Sequence, residues 1–433
     1  MLRVLAIIVG VVVVAIGALA AWSYPVWGGW GAWHAMPSGD APRSHYVADP
    51  AFARTGAAAL DALVDHRDQH GFPALTAAVS LDGELVWSGA VGWSDLEQEQ
   101  AAGRDTALRI GSTSKAVTAT LLARLVDRGE IALDTPIGEL GVDWPNTAWA
   151  VLTPRRLASH TAGLPGYDTN TDRAGQWQTL CGCRRYESVA DSLAIVDGSD
   201  LLFEPGADFA YSSFDVNILG AALAEVAGET YLDALDTHVF SPLGLAQSRG
   251  AEVDPSNPDR AEFYQIQHGQ ARLWKPFDLS QRWPGGGLVS TSEELVQIGG
   301  AWLDEDFISA QTRQAFWTPQ PLDDGTVNEQ NYAIGWRYAP EASWPGDERL
   351  ALPFAHHGGV SKGAMSWLVV YPDVGLSVAV NINTRAETFA DFAAVEDVIT
   401  KLFLDSLVQQ GRVAGPSNAD ADASRDDDTS AGG

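Results

Sequence analysis

Two pairs of short apolar runs, one pair near each end of the chain, constrain the fold more than any other feature. Residues 75–81 and 85–91 meet at Asp82-Gly83, and residues 365–371 and 376–381 meet at Pro372-Asp373-Val374-Gly375. Short apolar runs closed by such turns are hairpin signals. An isolated hairpin is barely stable in water, so each pair must join a wider sheet. Residues 51–70 carry a helical period with Leu60 and Leu63 on the inner face, and a last amphipathic helix is expected over about 388–408. The stretch from about 115 to 310 is richer in helix and loop. The expected architecture is α+β: an antiparallel sheet built from both chain ends, flanked by helices, with a helical region inserted between them.

The extremes of the chain read differently. Residues 4–22 are uncharged and mostly aliphatic, just long enough for one membrane span. Arg3 is the only charge before them, which keeps the N-terminus cytoplasmic and exports the rest. Trp22, Tyr24, Trp27, Trp30 and Trp33 follow, as an interfacial aromatic belt would, and favour an uncleaved anchor. Ala18-Leu19-Ala20 fits a cleavage site and keeps a cleaved signal peptide open. Either reading places the body outside the cytoplasm, on the periplasmic side. The expected organisation is a membrane anchor or signal over 1–25, a Gly- and Pro-rich linker over 26–50, one large domain over 51–410, and a disordered acidic tail over 411–433.

Charge narrows the partners. Fifty-six acidic residues against twenty-seven basic ones give a net charge of −29. Residues 1–50 balance to zero and residues 411–433 carry −3, so −26 lies in the body. Such a surface repels phosphate backbones, so no nucleic-acid partner is expected, and membrane contact is confined to the N-terminal segment. The same field predicts that neutral or cationic substrates outperform anionic ones at low salt. Cys181-Gly182-Cys183 leaves open a tight local bridge or two free thiols. His66 and His70 are one helical turn apart but lack the glutamate of H-E-x-x-H, so neither a metal nor another cofactor is expected.

Two serines lie in contexts that suit a nucleophile. Gly359-Val360-Ser361-Lys362-Gly363 has the G-x-S-x-G spacing of a nucleophile elbow. An elbow opens a helix and needs a later histidine. Here a strand-like run follows, and no histidine comes after His357. Gly111-Ser112-Thr113-Ser114-Lys115 is different. The stripe Val117, Leu121, Leu122, Leu125 marks a helix that stops at Gly129, so Ser112 sits at a helix N-terminus with Lys115 one turn away. The helix end favours an alkoxide-like serine, and a desolvated amine can accept its proton. The chain holds only four lysines, and a lysine here suits a role arginine cannot fill, that of a neutral amine.

Further segments accompany that motif in order: Leu157-Ala158-Ser159-His160-Thr161-Ala162-Gly163-Leu164-Pro165, Tyr211-Ser212-Ser213, Pro284-Gly285-Gly286-Gly287, and His356-His357-Gly358-Gly359. On these four segments and S-x-x-K, the chain over about residues 52–405 resembles the serine β-lactamase and penicillin-recognising D,D-peptidase superfamily, on the side of class C β-lactamases and their esterase-like relatives. The resemblance implies the β-lactamase/transpeptidase-like fold. It implies that Ser112 is acylated, with Lys115 as its partner and Tyr211 as base and proton shuttle. It puts His356 in the lysine position of K-T-G, followed by His357 and Gly358 as substrate contacts. The N–H groups of Ser112 and Gly359 would form the oxyanion hole. Tyr211 would act as a tyrosinate only with its pKa depressed by Lys115 and a protonated His356. Two departures stand out. Ser213 replaces the Asn of Y-x-N as a substrate contact, and His356 replaces a lysine. Both lower the expectation of β-lactamase activity proper and raise that of esterase, amidase or D-amino-acid peptidase activity on a small-molecule or peptidoglycan-derived acyl donor. A penicillin-binding sensor that acylates without turnover is the alternative. Lys362, in the loop after Gly359, is placed to attract a substrate carboxylate or simply lies at the surface.

Overall fold

The computed structural model describes residues 8–19, 31–37, 40–141, 144–182, 184–251, 261–345 and 347–414, without the side chains of 347–350. Strand β1 (Arg43–Val47) and helix α1 (Ala53–His70) precede a hairpin of β2 (Ala74–Leu81) and β3 (Glu84–Asp95). The middle region holds α2 (Ser114–Asp127), α3 (Ser213–Ala227) and α4 (Ser292–Ala301). Strands β4 (Arg337–Ala339), β5 (Phe354–Ser361), β6 (Ala364–Tyr371) and β7 (Leu376–Ile382) follow, then helix α5 (Phe389–Gln409). Among the described residues the main sheet has eight strands, ordered β4-β5-β6-β7-β2-β3-β1 with Gln100–Ala101 beside β3. Each pairing is antiparallel. Strand β7 pairs with β2 from Leu376↔Leu81 to Ile382↔Leu75, so the two ends of the domain meet at the sheet centre.

Side-chain alternation builds the layers. Leu75, Ala77, Val79 and Leu81 of β2 enter the core shared with α1 and α5, while Ala78 enters the core of the helical region. Thr76 and Ser80 share the face of Ala78 and bond to α4, at 2.8 Å to Ser292 Oγ and 3.0 Å to the Val296 carbonyl. With both faces covered, these strands read as continuous apolar runs rather than strict alternation. Helix α5 buries Phe392, Val395, Ile399 and Phe403 at helical spacing. Each such burial contributes about 1.5–3 kcal/mol. A capping box of Thr388 and Asp391 sets where the helix starts.

Strand β1 falls in the segment that composition assigns to the linker. It is an edge strand, paired with β3 from Arg43↔Val91 to Val47↔Trp87. Its exposed outer side needs no apolar pattern, which hides it from a reading of periodicity. Residues 8–19 are helical and exposed, while residues 4–7 and 20–22 of the expected span lie outside the described residues. No described helix is long and apolar enough to cross a membrane. Of the expected acidic tail, residues 415–433 also lie outside the described residues.

Candidate active site

Ser112 occupies a single 3-10 turn, Gly111–Thr113, that runs directly into α2. The buried stripe Val117, Leu121, Leu122 and Leu125 anchors that helix and so fixes the turn. Lys115 is 1% exposed. Its Nζ lies 3.2 Å from Ser112 Oγ, 2.9 Å from Ser213 Oγ and 2.5 Å from the Gly285 carbonyl. Burial lowers its pKa to about 7. A neutral amine has two N–H bonds and one lone pair. The Ser213 hydroxyl and the Gly285 carbonyl accept the two N–H bonds, which leaves the lone pair for the Ser112 hydroxyl. Asn217 holds that part of the glycine-rich segment in place, accepting from Gly285 N at 3.2 Å and donating to the Gln281 carbonyl at 3.0 Å. Ser213, expected as a substrate contact, is thus first a partner of Lys115, although it also lines the cavity over Ser112.

Tyr211 completes the cluster. The Lys115 nitrogen lies 4.8 Å from the Tyr211 ring centroid, and Ser112 and Arg337 lie near enough to the Tyr211 hydroxyl to favour its ionised form. Burial raises the phenol above its ordinary pKa, and Ser112 and Arg337 offset this only in part. Tyr211 is therefore a neutral phenol near pH 7, in place of the expected tyrosinate, and Lys115 is the group that becomes a neutral base. Arg337 on β4 faces both Tyr211 and Tyr332, at 5.2 and 5.0 Å from their ring centroids. It lies in none of the motifs, and no spacing in the sequence singles it out.

The histidines on β5 require a correction. Neighbouring side chains on a strand take opposite faces. His356 lies on the α5 side, 4.7 Å from the Trp367 ring and 5.2 Å from Phe354. His357 takes the catalytic side, fully buried, with Nε2 2.9 Å from the Tyr332 hydroxyl. The residue on the side of Tyr332, whose ring meets that of Tyr211, is therefore His357, one position after the expected His356. Burial, reinforced by Arg337, depresses both: His356 to about 3 and His357 well below its ordinary value. Neither supplies the cation expected beside Tyr211; Arg337 does. Gly359 shares the face of His357, and a Cβ there would lie 1.8 Å from the Ile110 carbonyl oxygen. Only glycine lets β5 lie this close to the Ser112 turn. Gly358, expected to meet substrate, faces Phe389 and Trp367 on the opposite side.

The same register moves the second oxyanion donor. Lys362-Gly363 closes the β5–β6 hairpin, with Ser361 opposite Ala364. A two-residue turn is closed by a hydrogen-bonded pair, and bonded pairs then alternate along the ladder. The Gly359 N–H therefore points to β6, and the Val360 N–H points out at the free edge. Val360 N lies beside the serine turn, 2.7 Å from where a Cβ on Gly111 would sit. The donors able to converge on one oxygen are Ser112 and Val360, in place of Ser112 and Gly359.

Beneath Tyr211 lies a pair that sequence reasoning did not find. His160 Nδ1 and Asp215 Oδ2 are 2.8 Å apart and both side chains are fully buried. Burial raises Asp215 and lowers His160, driving both toward neutral forms. The His160 ring lies 4.4 Å from that of Tyr211 and 4.6 Å from that of Tyr332. The elbow serine, Ser361, ends a strand and leads into another, as its rejection requires. The His66 and His70 rings are tilted against each other at 4.6 Å, and Phe72 stacks on His70 and meets His66 edge-on. Cys181 is disulfide-bonded. The chain's other cysteine, Cys183, lies outside the described residues.

A family model described as Beta-lactamase matches residues 60–399. The Mus musculus protein named Serine beta-lactamase-like protein LACTB, mitochondrial, is 26% identical over 423 residues, covering 78% of this chain and 77% of its own. Esterase EstB of Burkholderia gladioli is 26% identical over 382 residues, covering 76% of this chain and 91% of its own. Among solved structures, the D-amino acid amidase from Ochrobactrum anthropi SV3 superposes with a TM-score of 0.65 at 21% identity, over 83% of this chain and 100% of that one. At that identity the likeness speaks to the fold alone.

Proposed function

The chain belongs to the Beta-lactamase family of serine hydrolases, and on that premise we propose that it works through an acyl-enzyme on Ser112, on an ester, amide or D-amino-acid peptide. The neutral Lys115 amine takes the Ser112 proton as Oγ attacks the acyl carbon. The developing oxyanion accepts from the N–H groups of Ser112 and Val360. The Tyr211 phenol, held by Arg337, passes the proton from Lys115 to the leaving group, and water then hydrolyses the acyl-enzyme. The observation that carries this reading is the three-point clasp on a fully buried Lys115, whose amine is half-deprotonated near pH 7. Ser213 in the place of an amide and a neutral His357 in the place of a lysine weigh against β-lactamase activity proper. Relatives named as an esterase and as a penicillin-binding protein support the breadth of acyl donors.

The hydrolase unit is proposed to span 51–410, extended by β1, and to stand outside the cytoplasm on an N-terminal tether. The exposed apolar side chains of the 8–19 helix, among them Ile8, Val11, Val13 and Ile16, support the tether. Mass spectrometry after a fluorophosphonate or penicillin probe, paired with turnover of an activated ester, tests the mechanism. An adduct on Ser112 with turnover is expected. An adduct without turnover would make the protein an acyl-binding sensor, and undiminished turnover by Ser112→Ala would remove Ser112 as nucleophile.

A further inference from the structure

His160 and Asp215, both fully buried beneath Tyr211, take no part in the steps above. His160 grips the chain on each side of Tyr211. Its carbonyl accepts the N–H of Ala210 at 3.0 Å, and its Nδ1 accepts the N–H of Ser212 at 3.3 Å. Its ring centroid lies 4.4 Å from that of Tyr211. Ser212 is tied down in turn: its hydroxyl donates to the Pro165 carbonyl at 2.7 Å and accepts from Phe214 N at 3.1 Å, capping α3. The His160 backbone is held at a φ of 61°, a conformation that persists where surrounding contacts fix it.

Valence locates the proton of this pair. A neutral imidazole nitrogen carries either a hydrogen or a lone pair. The Ser212 amide can only donate, so Nδ1 presents its lone pair. The 2.8 Å contact between Nδ1 and Asp215 Oδ2 is then a hydrogen bond only if Asp215 supplies the hydrogen. The second oxygen, Asp215 Oδ1, is buried with no hydrogen-bond partner among the described residues. The N-terminal turn of α3 would favour a carboxylate. A fully buried carboxylate with one oxygen unpaired loses more than the helix end returns. Burial accordingly raises Asp215 and lowers His160.

We propose that Asp215 stays a carboxylic acid during catalysis and donates to His160 Nδ1, and that the two are positioning residues, aligning Tyr211 without placing an anion beside Lys115. The inference rests on acylation of Ser112 with Lys115 as its base, and adds what keeps that base neutral. The groups facing the pair are Lys115 on α2, Arg337 on β4 and the phenols of Tyr211 and Tyr332. Tyr167 and Arg282 also act on Lys115. Among these described residues Asp215 alone can become a carboxylate, and in that form it would hold Lys115 as an ammonium.

Infrared spectra of Ser112→Ala, with a heavy-isotope label in the aspartate side chains, read the proton without any chemistry at Ser112. A protonated-acid carbonyl band is expected at neutral pH. It should move with the label, which sets it apart from Glu396, and disappear when Asp215→Asn is added. The same band should shift in His160→Phe, which removes the acceptor, so its assignment does not depend on one variant folding. Absence of the band would overturn the proposal, whatever becomes of Ser112 as nucleophile. Single-turnover acylation of a neutral ester by the otherwise intact chain gives the second arm. An Asn amide can donate to Nδ1 as the acid does, so Asp215→Asn should keep the Lys115 inflection at about pH 7. Were Asp215 ionised, removing its charge would ease deprotonation of Lys115 and move the inflection down by about one pH unit. That shift would equally overturn the proposal. Asp215→Leu leaves Nδ1 without its donor and should lower kcat/KM by about tenfold, with Asp215→Asn restoring most of the loss. Equal losses in the two variants would rule out donation to His160.

Discussion

Lys115 is fully removed from water, and its three oxygen partners leave a lone pair only toward Ser112. Its neutral form is the active one, and that form grows as pH rises through about 7. Acylation by a neutral ester is therefore expected to rise with pH below that point and level off above it, as single-turnover kinetics would show. Lys115→Arg cannot shed its proton, so it should lose about 10²–10⁴-fold in kcat/KM together with the inflection. The two adjacent histidines give a second expectation. His357→Ala strands the Tyr332 hydroxyl inside the catalytic cluster and should cost about tenfold or more in kcat/KM. His356→Ala, on the far face, should leave the rate within about threefold. Steady-state rates of the two variants, side by side, check the register.

Between elements, the critical contact is strand β5 on the turn that carries Ser112. Gly359→Ala would place a methyl 1.8 Å from the Ile110 carbonyl oxygen and push the strand away. Overpacking of this kind costs about 1–3 kcal/mol. Displacing the oxyanion donor by 1 Å costs about 10²-fold in rate. Thermal melts and kcat measured together should show both losses. On the other side of the sheet, α5 buries Glu396, which accepts from Tyr371 Oη at 3.1 Å, Trp367 Nε1 at 3.2 Å and Thr400 Oγ1 at 2.5 Å. Burial raises its pKa to about 7. Between about 4.5 and 7 the folded chain holds a proton that the unfolded chain has released. Stability therefore falls as pH rises through that window, by on the order of 3 kcal/mol from this group. Glu396→Gln removes the effect, so its denaturation midpoint should exceed that of the parent at pH 8 and converge with it near pH 5.

For the whole molecule, the hydrolase body is built on an eight-stranded sheet with helices on both faces and smaller sheets beside it, and the apolar helix 8–19 precedes it in sequence. Strand pairing of His34–Ala35 with Gln270 and Ala271 means that a cut before residue 31 spares the body. The proposed tether predicts that the full chain fractionates with membranes and that removing residues 1–30 moves it to the soluble fraction while ester turnover persists, and fractionation with a carbonate wash reads this directly. By itself, the sequence determined the two hairpins, the terminal helices, the Ser112–Lys115 turn and the sheet joined from both ends. Those features rest on periodicity and turn chemistry acting within a few residues. Tertiary structure alone decided which of His356 and His357 takes the side of Tyr332, because a one-residue shift on a strand exchanges its faces and both neighbours suit either environment. It also decided that Arg337 meets Tyr211 and that Asp215 finds His160 across 55 residues. These pairings depend on distances that packing creates and that no spacing along the chain encodes.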